Sequence, residues 1–402
     1  VYFSLKYIVA FGVMVRAGSV KDTICAVVEQ RRAEFIAIAA ELFAHPEIGL
    51  EEHRASQLLA GLLGREGFAV QTGIAGMPTA FCARRGTAGP TIAILAEMDA
   101  LPELGHACGH NIIAAAAMGA AVALCSSIPE DAARIVVLGT PAEEQGIGKI
   151  ELIKAGFFDG VDFAMMVHPS SRRYVTKGYL GLARVRFVFH GKPAHAAAYP
   201  EEGINALDGV IQTFNGINAL RQQCRQDVRI HGIITDGGVA PNIIPARAAC
   251  SFYVRADELG EVHHAMERVV ACAEGAAIAT GCRLEVNADP RIMAPFRIVE
   301  PFADLYAEQL RILGLEEDTV PIDRNRGSSD IGNVSQIVPT IHPHVPIGEG
   351  INIHSSDFAR ATVSPKGELA VLEGAKAMAM TAAELVLQPQ LRARIVAAFN
   401  KS

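Results

Sequence analysis

The chain has no tryptophan, and aromatic residues make up only 6% of its 402 positions. Basic residues are also in deficit: 36 Lys and Arg stand against 43 Asp and Glu, a formal net charge of −7. A phosphate-binding surface needs the opposite sign, and no basic stripe with interleaved aromatics is present, so nucleic acid is not expected as a partner. The eight cysteines show no paired short spacing, which argues against a disulfide framework and fits reduced thiols in a cytoplasmic enzyme. Membrane association is not expected either. The apolar stretch from Tyr2 to Val15 is interrupted by Lys6 and too short to span a bilayer comfortably. With Ala17-Gly18-Ser19 behind it and a weak basic start, it is a feeble secretory signal. It reads instead as upstream sequence, dispensable to a working protein that starts near Met14. Internal repeats, low-complexity tracts and flexible linkers are missing as well.

Half of the residues are hydrophobic and a fifth are charged, enough for a large core spread over two domains or one domain with an insertion. The chain is organised around Glu97 to Asn111. Thr91 to Ala96 before it is an apolar run that predicts a buried strand, and alanine-rich Ile112 to Leu124 after it predicts a helix. Between them stand His106, Cys108 and His110, with carboxylates nearby and glycines at 105 and 109. Imidazole and thiolate donors two residues apart converge on one ion only where the backbone bends, and glycine permits that bend. A capped loop with a buried cysteine is the blander alternative, but three donors so close together favour a metal site.

From Asp22, predicted to run as one helix to Phe43, helices alternate with strands through Arg134–Gly139 and Phe163–Val167, the pattern of α/β layering. His45 to Gly49 ends that first helix. Near Gly181 the character changes. Ala183 to His190 alternates, as a strand with one wet face should. A helix from Ala206, strands at 228–235 and 248–255, a helix over 259–280 and a last strand at 283–286 complete a small α+β unit. The α/β character returns after Pro295, so the expected domains are a catalytic part over 20–182, a lid over 183–292 and a second catalytic part over 293–400.

Three further places hold donors. Thr140-Pro141-Ala142-Glu143-Glu144 follows a strand end, where consecutive side chains diverge; one carboxylate can bind metal while the other reaches an activated water. His168 follows an apolar strand, and His354 lies in a glycine-bounded loop. Each alone is an ordinary loop residue or an acidic helix start. Several at strand ends of one sheet change the balance.

Together, Gly105–Asn111, Pro141–Glu144, Gly191-Lys192-Pro193-Ala194-His195-Ala196 and the late His354 resemble the aminoacylase/carboxypeptidase family of co-catalytic metallopeptidases, in its amidohydrolase branch. The segment Arg229 to Pro245 is similar to the lid signature of the dipeptidase group. The resemblance implies a mixed-sheet, phosphorylase/hydrolase-like core with an inserted ferredoxin-like α+β lid. It implies Cys108, His110, Glu144, His168 and His354 as ligands of one or two divalent ions, zinc or manganese. Glu143 matches the general base, and His195 and Asn242 match lid positions that contact substrate. Many relatives carry His-x-Asp where this chain reads Glu97-Met98-Asp99, which makes Asp99 a supporting residue. Asn111 stands where many branch members have Asp, which favours the dipeptidase-like group. The activity implied is hydrolysis of an amide in a small N-acyl amino acid or dipeptide, by a homodimer joined through its lids. Two alternatives stand beside it: hydrolytic deamination of an aromatic amine by the same site, and a catalytically silent scaffold.

Overall fold

The computed structural model describes residues 17–319 and 326–401; the stretch from Tyr2 to Val15, with Met14, lies outside the described residues. Twelve strands occur among those described: β1 (Ala69–Thr72), β2 (Phe81–Arg85), β3 (Thr91–Glu97), β4 (Arg134–Thr140), β5 (Phe163–Met165), β6 (His168–Ser170), β7 (Gly181–His190), β8 (Arg229–Asp236), β9 (Arg247–Ala256), β10 (Arg283–Ala288), β11 (Thr340–Ile341) and β12 (His344–Pro346). The described residues divide into two compact units, one of residues 17–178, 297–319 and 333–401, the other of 179–296 and 326–332.

The first unit is built on a mixed six-stranded sheet in the order β1-β2-β4-β3-β5-β11. β1 and β2 run antiparallel to their neighbours, whereas β4, β3, β5 and β11 are mutually parallel. Parallel strands are covered on both faces, so they read as continuous apolar runs; every residue of β3 after Thr91 is buried. The parallel arrangement also brings the C-terminal ends of β3, β4 and β5 to one edge, where such sheets place ligands. A separate parallel pair, β6 with β12, sets His168 opposite His344.

Behind β3 lies the helix His110–Cys125, buried at every position through Leu124. Its alanines let the helix Pro365–Leu387 approach so closely that a Cβ at Gly119 would lie 2.9 Å from that of Ala375. A helix held this tightly gives the donor loop before it a rigid end. The first helical segment differs from expectation. It is two helices, Ala17–Gln30 and Arg32–Ala44, because Arg31 leaves the helical region and its guanidinium joins Glu34 and Glu66. The apolar spacing continues across the break, so periodicity does not register it.

The second unit has its own core, around Phe187, Phe189, Phe252, Val262 and Val269. Its sheet is antiparallel throughout, in the order β10-β7-β9-β8. Two helices, Ala206–Leu220 and Leu259–Thr280, pack on it. Asn205 starts the first of these by accepting the Leu207 and Asp208 N–H groups, an ordinary N-cap.

Candidate metal centre

The donor loop leaves β3 and turns twice through left-handed glycines, Gly105 at φ 62° and Gly109 at φ 85°. Gly109 admits no side chain: a Cβ there would lie 2.2 Å from Pro169 Cγ. This bend turns Cys108 and His110 to the same side. His106 goes elsewhere. It is buried outside every cluster of donors, beside the Leu42 carbonyl, and burial, reinforced by the charge of His110, pushes its pKa down to about 3.

Four donor triads form among the described residues, and two of them share Cys108. One is Cys108, His110 and His168; the other is Cys108, Glu144 and His354; within each, the ligand atoms lie within 4.8 Å of one another. Cys108 Sγ is 3.6 Å from His168 Nε2. Both imidazoles of the first triad are fixed from behind. His110 Nδ1 donates to the Asp99 carbonyl and carboxylate, each at 2.9 Å, and His168 Nδ1 donates to the Pro169 carbonyl at 2.7 Å. That leaves each Nε2 lone pair aimed into the centre, the usual way a protein presents a histidine to a metal. His110 Nε2 and Glu144 Oε1 are buried and make no hydrogen bond. Buried polar atoms normally have a partner, and an ion between them supplies it; the residues fit a divalent metal.

Charge in the ion-free centre is distributed by burial and by neighbours. Burial pushes the Cys108 thiol well above its ordinary range and His168 down to about 4. Burial works against a charged His110 too, but the carboxylates of Asp99 and Glu97 outweigh it and hold its pKa well above the usual value.

The Glu pair after β4 is held by the backbone on both sides. Ala142 takes a left-handed φ of 55°, and the Glu144 N–H is held by Asp99 Oδ2 at 3.0 Å. Glu143 Oε2 then lies 3.8 Å from His110 Nε2, and Glu144 Oε1 lies between two histidines, 4.0 Å from His110 Nε2 and 3.7 Å from His354 Nε2. His354, at φ 62°, is anchored by its N–H to the Ala107 carbonyl at 2.9 Å, and its side chain is half exposed.

Beneath the centre is a pair that sequence reasoning missed. Lys149 Nζ sits 2.6 Å from Glu97 Oε1, both side chains fully or almost fully buried, and Glu97 Oε2 faces His110 Nε2 at 3.3 Å. The available signal was slight, because Lys149 shares the helix Gly148–Lys154 with the charged Glu151 and Lys154. His342 and His344 were missed too; their rings pack 5.5 Å from that of His168.

His195 and Asn242 belong to the second unit, where they are brought together: the Ala196 N–H donates to the Asn242 carbonyl at 3.0 Å. His195 Nδ1 accepts the N–H groups of Ala197 and Ala198 at 3.2 and 3.1 Å. An Nδ1 that accepts twice carries no proton, so the exposed Nε2 is the N–H donor. Asn111 is structural, its amide donating to the Ala39 carbonyl and the Thr362 hydroxyl.

A sheet-edge centre of thiolate, imidazoles and carboxylates, in two triads with a common sulfur, defines a dinuclear-type metal site of a metal-dependent hydrolase. The comparisons with known proteins place it further. Residues 178–280 match the peptidase dimerisation domain of the M20 family. The chain is 39% identical to an Xaa-Arg dipeptidase of Mus musculus over 90% of each protein. It is 34% identical to a p-aminobenzoyl-glutamate hydrolase of Escherichia coli over 65% of this chain and 59% of that one. In fold it is similar to a dinuclear metal-binding M20 peptidase of Bacillus subtilis, with a TM-score of 0.70, 21% identity, and coverage of 89% of this chain and 99% of the other. The chain belongs to the M20 peptidase family. It is a metal-dependent amidohydrolase acting on an amide bond of a small peptide or N-acyl substrate. No helix among the described residues is long and apolar enough to cross a membrane.

Proposed function

We propose that the chain is a dipeptidase that releases a basic C-terminal residue, with Cys108, His110, Glu144, His168 and His354 as metal ligands and Glu143 as general base. The observation that carries this reading is the pair of donor triads sharing Cys108, with the Glu143 carboxylate 3.8 Å from His110 Nε2. Preference for a basic residue is supported by the Mus musculus relative, an Xaa-Arg dipeptidase. When bound, divalent ions supply Lewis acidity for the scissile carbonyl and lower the pKa of the attacking water. The shared thiolate favours zinc on softness, and the carboxylates tolerate manganese.

Glu143 takes the proton of the attacking water and delivers it to the leaving amine, which gives it one group in two roles. Glu144, its Oε1 4.0 Å from His110 Nε2 and 3.7 Å from His354 Nε2, places its charge among the ligands. His195 donates its Nε2–H to the carbonyl oxygen as negative charge develops there, and Asn242 beside it contacts the substrate. The lid that carries both reads as ferredoxin-like, supported by its strand-helix-strand-strand-helix-strand order and the sheet order β10-β7-β9-β8. A cytoplasmic location is supported by eight cysteines that are all free thiols. Turnover of a panel of dipeptides tests the substrate: those ending in Arg or Lys should exceed those ending in Ala or Glu by at least about tenfold in kcat/KM. Equal turnover across the panel defeats the basic preference.

The match of residues 178–280 to a dimerisation domain supports a homodimer joined through the lids, as do the exposed Ile233 and Ile234 on edge strand β8. In such a dimer His195 of one subunit serves the metal centre of the other. Glu143→Ala and His195→Ala are each expected to be inactive, yet restored when co-expressed, because the subunit with Glu143 borrows its partner's histidine. With random pairing half of the dimers are mixed and half of their sites complete, so about a quarter of the activity returns. A histidine acting within its own chain gives no recovery.

A further inference from the structure

We infer that Glu52 is a positioning residue for the Glu143–Glu144 pair. The segment His45 to Glu52 enters the sequence as a helix break, yet it lies against both loops of the metal centre. The Ala100 N–H, next to Asp99, donates to the Glu47 carbonyl at 2.8 Å, and Ile48 bridges Ala100. On the other side Gly49 touches the Glu-pair loop so closely that a Cβ would lie 2.7 Å from Gln145 Nε2 and 2.9 Å from Ala142 Cα. Glu52 closes the segment. It is fully buried, its Oε2 accepting the Thr79 hydroxyl at 2.7 Å and its Oε1 accepting the Ala142 N–H at 2.8 Å.

Ala142 is the residue that needs holding. A left-handed φ at a residue with a Cβ costs on the order of 1–2 kcal/mol and persists only where the surroundings impose it. Here the imposition comes from two buried carboxylates: Glu52 takes the N–H of residue 142 and Asp99 takes that of residue 144. Between the two fixed amides stands Glu143, whose direction is set by the backbone on both sides. Glu52 touches neither donor atoms nor substrate; it acts by keeping the backbone turned so that Glu143 and Glu144 both face the donor histidines. Its carboxylate belongs to the helix start at residue 53, far along the chain from the residues it aligns.

This inference rests on the reading of Glu143 as base, and its test includes a signal independent of turnover. In Glu52→Ala, amide hydrogen exchange of the segment 140–147 should rise at least about tenfold. Its kcat should fall by about 10- to 100-fold with KM within about threefold, the mark of a misdirected group. Glu52→Gln keeps an acceptor for the Ala142 N–H and should retain kcat within about threefold of the parent. Gly49→Ala leaves Glu52 in place but displaces Ala142, and should reproduce the exchange and kcat changes if Glu52→Ala does not fold. Faster exchange with unchanged kcat, or equal losses in the Ala and Gln variants, overturns the assignment. Full activity of Glu143→Gln instead removes the base reading and leaves the exchange result standing.

Discussion

Glu143→Gln should keep its metal and lose about two to four orders of magnitude in kcat, the range that general acid–base catalysis contributes. The amide preserves the shape and burial of the side chain but cannot accept a proton. Glu144→Gln should fail in another way. Glu144 Oε1 is a buried acceptor with no hydrogen bond, 3.7 Å from His354 Nε2, and in the proposed division its charge serves the ion rather than the water. Metal analysis beside steady-state kinetics separates the two. Full metal content in the inactive Glu143 variant and reduced content in the Glu144 variant is the expected pattern. Equal metal loss in both contradicts the division of roles.

The second large effect is expected at Lys149. Replacing it by Met leaves Glu97 as a buried carboxylate without its ammonium, close to the anionic groups of the centre. Removing one member of a buried pair costs about 3–5 kcal/mol, because the remaining charge has lost its compensation. Urea denaturation of the metal-free protein reads this directly. The double variant Lys149→Met with Glu97→Gln should regain a substantial part of the loss, since neither charge is then stranded. A single-variant loss below about 1 kcal/mol shows that water reaches Glu97 and that the pair is not isolated from solvent.

Much of the centre was legible because its signals are local. A strand, a glycine, two donors and a helix follow one another within Glu97 to Asn111, and period and turn chemistry suffice to read them. The Glu pair was legible from its place after an apolar run. What stayed hidden depends on contacts between distant segments. Lys149 and Glu97 are separated by 52 positions, and Glu52 and Ala142 by 90, so no window of sequence contains either pair. His106 shows the converse limit: spacing alone groups it with Cys108 and His110, but the turn at Gly105 sends it into the interior. The break at Arg31 escaped for a similar reason, its ion pair to Glu66 lying outside the helix it interrupts.

The common sulfur has a consequence for how the protein is charged with metal. Burial keeps the Cys108 proton in place while the centre holds no ion, and a thiol must give up that proton before it becomes a ligand. With Cys108 as a ligand, loading exchanges cation for proton, and the ionisation of this thiol is one that both triads need. Acidification therefore opposes filling of both positions. The same proton shields the sulfur, since oxidants attack the thiolate and not the thiol. A chain that has yet to acquire its ions thus keeps Cys108 in the reduced form it needs when they arrive.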